Sequence, residues 1–258
     1  MRLIKRILSA AAVLALSASL LVGCSSGTAS SVPVSASSAA ESTVSSVEET
    51  ASSAVDENEA AAAQLLNDLT GSYQELWPVI LADEYKQTWL DDCTALVGED
   101  NAEAAFEKLS SMVTGDVYGE DAVKAYANGG GAYFCGFTNS LATLTFDGET
   151  STISGTDKDG NVLFSHTYHY IGMEPVRGLY EFESDDADSG EFTYFFLAPD
   201  TSAETYHIEF RYGSDAEALS QYDAGEYAYW LASGISTDCD QTMIDNCIEL
   251  FCTENLAG

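Results

Sequence analysis

Chemistry in this chain has few imidazoles to start from: His166, His169 and His207 are the three histidines in 258 residues. His207 stands in Tyr206-His207-Ile208-Glu209-Phe210-Arg211-Tyr212, where alternating polar and apolar residues predict a strand. On a strand, residues two apart share a face with Cα atoms about 6.6 Å apart, so His207 and Glu209 can converge on one divalent ion at bond lengths of ~2.0–2.2 Å. Two protein donors leave such a site incomplete. Water, or a carboxylate such as Glu204 from the preceding turn, would complete it, and a mixed set is harder and less zinc-selective than three imidazoles. In the competing arrangement Glu209 pairs with Arg211 on the same polar face, and His207 only hydrogen-bonds a neighbouring tyrosine.

Two acidic turns, Asp157-Lys-Asp159-Gly160-Asn161 and Asp185-Asp186-Ala-Asp188-Ser-Gly190, gather oxygens as calcium sites do. The first lacks the closing Glu of an EF-hand, since its twelfth position is Tyr168, and both read better as solvated turns. Gly-x-Ser-x-Gly occurs only as Gly23-Cys24-Ser25-Ser26-Gly27, in the leader region and not between a strand and a helix; no His-Glu-x-x-His is present, and no Gly-Lys-Ser/Thr follows Gly129-Gly130-Gly131. The chain is therefore expected not to be an enzyme.

Charge narrows the partners. There are 42 acidic and 9 basic residues, a net charge of −33, and Arg2, Lys5 and Arg6 account for three of the bases. No basic surface can be assembled downstream, which excludes nucleic acid and docking on anionic lipid, and leaves a cation as the expected small partner. The basic start, the apolar run of residues 7–22 and Leu21-Val22-Gly23-Cys24 have the form of a lipoprotein signal peptide spanning residues 1–23. Cleavage would leave lipid on Cys24, and residues 24–56, rich in Ser and Ala, read as a disordered tether. The expected location is the extracytoplasmic face of the cell membrane, with the lipid on Cys24 as the membrane partner.

Residues 57–258 are long enough for one domain. Capping boxes at Asp56/Glu59 and Asp100/Glu103 predict amphipathic helices, the second burying Ala105, Phe106, Leu109, Met112 and Val113. From Ala132 onward, β-branched and aromatic runs separated by Asp-Gly pairs predict strands at 141–146, 150–154, 162–170, 179–182, 192–197 and 206–212. Ser214/Glu217 and Asp238/Gln241 predict two more helix starts, the last helix burying Met243, Ile244, Cys247, Ile248 and Phe251. Six to eight hairpin-linked strands with helical flanks suggest an antiparallel barrel, since closure removes exposed edges. Cys93, Cys135, Cys239, Cys247 and Cys252 form an odd set, and any bridge among them is expected between distant segments.

The segment Phe192-Thr-Tyr-Phe-Phe-Leu-Ala-Pro199 followed by Tyr206 to Asp215 resembles the ZinT/YodA family of extracytoplasmic zinc-binding proteins. The family shows Ala-Pro after one strand and a His-x-His strand ending in aromatic-Gly-x-Asp. Gly71-Ser-Tyr73-Gln74-Glu-Leu-Trp77-Pro78 and Tyr168-His-Tyr170-Ile-Gly172 with Val176-Arg177-Gly178-Leu-Tyr180-Glu-Phe182 resemble two further family stretches, in the same order. The resemblance implies a lipocalin-like (calycin) barrel and zinc held at three histidine positions, which this chain fills with Phe195, His207 and Glu209. It also lacks a counterpart of the family's histidine-rich loop. The expectation is a mainly β, lipid-anchored protein that binds zinc or another divalent metal weakly, or at a degenerate site, with a metal-uptake protein as a further partner. The alternative is a barrel whose aromatic mouth receives an apolar ligand or a partner protein.

Overall fold

The computed structural model describes residues 57–257. The expected signal peptide, Cys24 and the tether lie outside the described residues. Eight antiparallel strands in chain order close into a barrel, with β1 completing the circle against β8. They are β1 Gly71–Glu75, β2 Thr143–Asp147, β3 Thr152–Thr156, β4 Val162–Met173, β5 Tyr180–Ser184, β6 Tyr194–Leu197, β7 Ile208–Gly213 and β8 Ala232–Ser236. The helices are α1 (57–68), α2 Leu76–Ile80, α3 Lys86–Val97, α4 Glu99–Val113, α5 Glu120–Ala127, α6 Ser202–Thr205, α7 Ala216–Leu219 and α8 Gln241–Leu256. The lipocalin-like antiparallel barrel with short flanking helices expected from the sequence is thus the architecture found.

The period-two alternation of each strand decides what fills the barrel. Leu144 and Phe146, Ile153, Phe164 and Tyr168, Phe182, Phe195 and Leu197, and Ile208, Phe210 and Tyr212 share one buried cluster. Ala62, Leu65, Leu66 and Leu69 of α1 and its end, spaced three and four apart, join the same cluster. The hairpin turn after β2 meets this helix so closely that a Cβ at Gly148 would fall 2.4 Å from the Cα of Asn67, so only glycine fits. A second core lies on the outer side of the wall, where Ile235 packs with Leu76, Ile80, Trp89, Leu109, Ile244 and Ile248 from α2, α3, α4 and α8.

Several local expectations shift. β1 and β8, which close the barrel, are absent from the strand pattern: Gly-Ser-Tyr-Gln-Glu and Ala-Ser-Gly-Ile-Ser lack an aromatic or β-branched run, and pairing on both sides defines them instead. Helix starts also move. Gly98, not Asp100, precedes α4; Asp215 Oδ1 accepts from Ala218 N at 3.0 Å to cap α7; and Asp240 Oδ1 accepts from Met243 N at 2.9 Å to cap α8. On α8 the expected Ile244, Cys247 and Ile248 are buried, Met243 and Phe251 are half-buried against the same core, and Cys252 is buried beside them.

Candidate metal site

His207 immediately precedes β7, and Glu209 is its second residue. Both side chains leave the outer face of the wall, because Ile208, Phe210 and Tyr212 occupy the inner one. His207 Nε2 stands 4.0 Å from Glu209 Oε1, with side-chain exposures of 19% and 44%. The backbone fixes the imidazole tautomer: Nδ1 lies 2.7 Å from the carbonyl oxygen of Thr205, which can only accept, so Nδ1 carries the proton. In the neutral imidazole the lone pair then lies on Nε2, the nitrogen nearer Glu209, the arrangement in which a carbonyl orients a ligating histidine. Cys247 Sγ approaches the protonated nitrogen at 3.9 Å and so stands on the wrong side of the ring to share an ion with Nε2. Burial pushes its thiol up to about 12.

Two carboxylates that sequence spacing does not connect to this strand complete the surroundings. Asp200 follows the Ala-Pro after β6, and Glu254 lies on the last turn of α8; both are within electrostatic reach of His207. Desolvation, then Glu204, holds Asp200 above the usual carboxylate range, against the pull of His207. Glu254 is also raised by desolvation, with Glu209 and Asp200 adding to the shift and His207 opposing it. Glu204 is engaged elsewhere, its carboxylate accepting from Thr201 N and Oγ1 at 3.3 Å in the capping box of α6. Among the described residues, no three His, Cys, Asp or Glu side chains stand close enough together to enclose an ion.

Arg211 does not pair with Glu209. Its side chain is fully buried and its guanidinium donates to the main-chain carbonyls of Leu219, Gln221 and Tyr227, over the ring of Tyr222. Phe195 departs from expectation in the opposite direction. Cross-strand pairing places it against Tyr212, on the inner face, among Phe164, Tyr168 and Phe210. The three positions implied by the family resemblance therefore do not converge: two leave the wall outward and one points into the barrel.

The other histidines are separate. His166 Nδ1 meets Asp186 and His169 Nδ1 meets Asp185, each at 2.7 Å, so the acidic turn after β5 is tied to β4. Asp157 holds its own turn by accepting from the main-chain N–H groups of Asp159 and Asn161 and from the Asn161 side chain, and the Asn161 amide draws its carboxyl below the usual range. The barrel interior is occupied by rings. Phe164 stacks on Phe192 at 4.0 Å, Phe192 on Tyr212 at 5.6 Å, and Tyr212 meets Trp230 at 5.0 Å. Phe137 closes over Phe210 at 5.3 Å, and Tyr212 is tied to Thr138, whose N–H donates to the phenol oxygen at 2.6 Å. An apolar ligand at the mouth would have to displace these rings.

The raised carboxyls give the stability a defined pH dependence. Burial lifts Asp92 and Glu181 as it does Asp200 and Glu254. A carboxyl whose folded pKa exceeds its unfolded value of about 3.9–4.3 contributes most below that value, and the contribution is lost as pH rises through the folded pKa. The net charge of −33 acts in the same direction. In chelator-treated protein, the melting temperature should therefore rise by a few degrees as pH falls from about 7.5 to 5. A flat or falling profile across that window would contradict the carboxyl environments.

No family model matches the sequence, and no curated protein matches it. Among solved structures, the chain is similar to the Zn(II)-bound ZinT-like domain of Streptococcus pneumoniae AdcA, with a TM-score of 0.45 and 16% identity over 72% of this chain and 89% of that one. It is also similar to Zn(II)-bound AdcA from Streptococcus pneumoniae, with a TM-score of 0.42 and 15% identity over 75% of this chain and 35% of that one.

Proposed function

We propose that this chain is a lipid-anchored, extracytoplasmic binding protein that holds a divalent metal ion weakly on the outer face of β7, between His207 and Glu209. The observation that carries this reading is the imidazole tautomer, which in the neutral ring leaves the lone pair on Nε2, 4.0 Å from a carboxylate oxygen. Two donors of one tetrahedral ion stand about 3.4 Å apart, so a small side-chain rotation brings the pair to bonding range. Water fills the remaining positions, and Asp200 and Glu254 supply the negative field that favours a cation without enclosing it. With one imidazole and one carboxylate, the site takes zinc but discriminates poorly against harder divalent ions. The proposed role is binding, with delivery to a metal-uptake protein as the expected use.

Calorimetric titration of chelator-stripped protein with zinc should show one weak site that His207→Ala abolishes and Glu209→Gln weakens at least ~10-fold. Binding should also weaken as the solution is made more acidic, because protons compete with the metal for the imidazole nitrogen. An unchanged isotherm for His207→Ala would dismiss the site. For the anchor, Cys24→Ala should move the protein from the membrane fraction to the soluble one. Retention of that variant in the membrane would remove the lipid from the proposal.

A further inference from the structure

We propose that Cys93 of α3 and Cys252 of α8 are joined in the mature protein by a disulfide that staples the two helices across the outer core. Their sulfurs stand 4.0 Å apart although 159 positions separate them in sequence, and both side chains have no solvent exposure. The neighbouring thiols are placed differently: Cys247 faces His207, Cys135 lies near Tyr133, and Cys239 precedes α8. A second feature of the same seam shows what a covalent link would offset. Asp92, next to Cys93, has a buried carboxylate oxygen without a hydrogen-bond partner, and Asp245 and Glu249 of α8 act on it as like charges. No cation bridges them among the described residues, so the α3–α8 contact rests on Trp89, Phe251 and their neighbours against a repulsive rim.

The chemistry is thiol–disulfide exchange with an external disulfide, small or protein-borne. One cysteine thiolate attacks that disulfide, forming a mixed disulfide and releasing one thiol. The second cysteine thiolate then attacks the mixed disulfide, forming the Cys93–Cys252 bond and releasing the second thiol. The two cysteines lose two protons and two electrons, and the oxidant is reduced to two thiols. In the folded state burial pushes both thiols up, and neither sulfur is accessible. The exchange therefore takes place before α8, the last described element, docks on α3; afterwards the same burial shields the bond from reductants.

The test uses the full chain carrying Cys24→Ala, unfolded in urea, reduced, and refolded in a glutathione redox buffer containing chelator, so it stands apart from the metal reading. Denaturing alkylation followed by mass spectrometry should show three alkyl groups on the oxidised protein against five on the reduced one, with Cys93 and Cys252 peptides linked and Cys135, Cys239 and Cys247 alkylated. The oxidised form should melt on the order of 10 °C above the reduced form. Cys93→Ser and Cys252→Ser should each abolish that redox difference, and the double variant should add nothing further. Alkylation of both cysteines, a different dominant pair, or equal melting temperatures for oxidised and reduced protein would overturn the proposal.

Discussion

Arg211→Ala should destabilise the protein by about 3–5 kcal/mol and open the segment between β7 and β8 to proteases. Arg211 is the fully buried cation on the outer face of β7, and no carboxylate lies within ion-pair distance of it among the described residues. Its charge is balanced by dipoles instead: the carbonyls of Leu219, Gln221 and Tyr227 converge on the guanidinium. Residues 214–231 contain one short helix, so these bonds hold the segment as regular secondary structure does elsewhere. Tyr222 lies 4.4 Å from the guanidinium carbon and in turn donates to the buried Glu174 at 3.3 Å, which extends the network to the β4–β5 turn. Gly213 belongs to the same closure, since a Cβ there would fall 2.6 Å from the hydroxyl of Tyr227. Truncating Arg211 leaves three carbonyls unpaired and a cavity where the side chain was. Lysine cannot restore the fork of donors and should recover only a minor part. Arg177, exposed and also over the ring of Tyr222 at 4.3 Å, should cost less than ~1 kcal/mol when changed to Ala. Urea unfolding of the three variants separates these outcomes, and an Arg211→Ala protein as stable as the parent would refute the cage.

Arg211 also marks the limit of what the chain order reveals. Alternation over Tyr206 to Tyr212 places His207, Glu209 and Arg211 on one face correctly, because a strand's period is a local property. It cannot say what covers that face. Here the covering elements are α8 and the segment 214–231, and they give each of the three side chains a different fate: an oriented imidazole, a half-exposed carboxylate and a caged cation. The six strands from β2 to β7 are legible for the same local reason, whereas β1 and β8 are strands because they have neighbours on both sides. Asp200 and Glu254 escape the sequence pattern because packing between separate elements, which no periodicity encodes, brings them to His207. The proximity of Cys93 and Cys252 has the same origin; the odd count of five establishes only that at least one thiol has no partner within this set.

Phe195→His should cost about 3–5 kcal/mol and leave zinc affinity unchanged, whereas Glu209→His should raise that affinity at least ~10-fold with little loss of stability. The family resemblance suggests the contrary, that histidines at 195, 207 and 209 would surround one ion. Register decides against it. Phe195 pairs with Tyr212 and Phe196 with Arg211, so Phe195 shares the inner face with Tyr212 and Phe210, with the sheet between it and His207. Its side chain has no exposure, and rings surround it: Tyr212 at 5.3 Å, Tyr168 at 5.4 Å and Phe164 at 5.8 Å. An imidazole there brings a donor and an acceptor into a space whose nearest hydroxyls are committed, Tyr168 donating to the carbonyl of Phe192 and Tyr212 to that of Thr138. The unpaired polar atoms and the lost ring contacts set the cost. At position 209 the side chain is half-exposed and beside His207, so a second imidazole can share the ion without entering the core. Urea unfolding and zinc calorimetry on chelator-stripped protein test both variants. A folded Phe195→His protein that binds zinc more tightly than the parent would show that the inner and outer faces of β6 and β7 have been assigned the wrong way round.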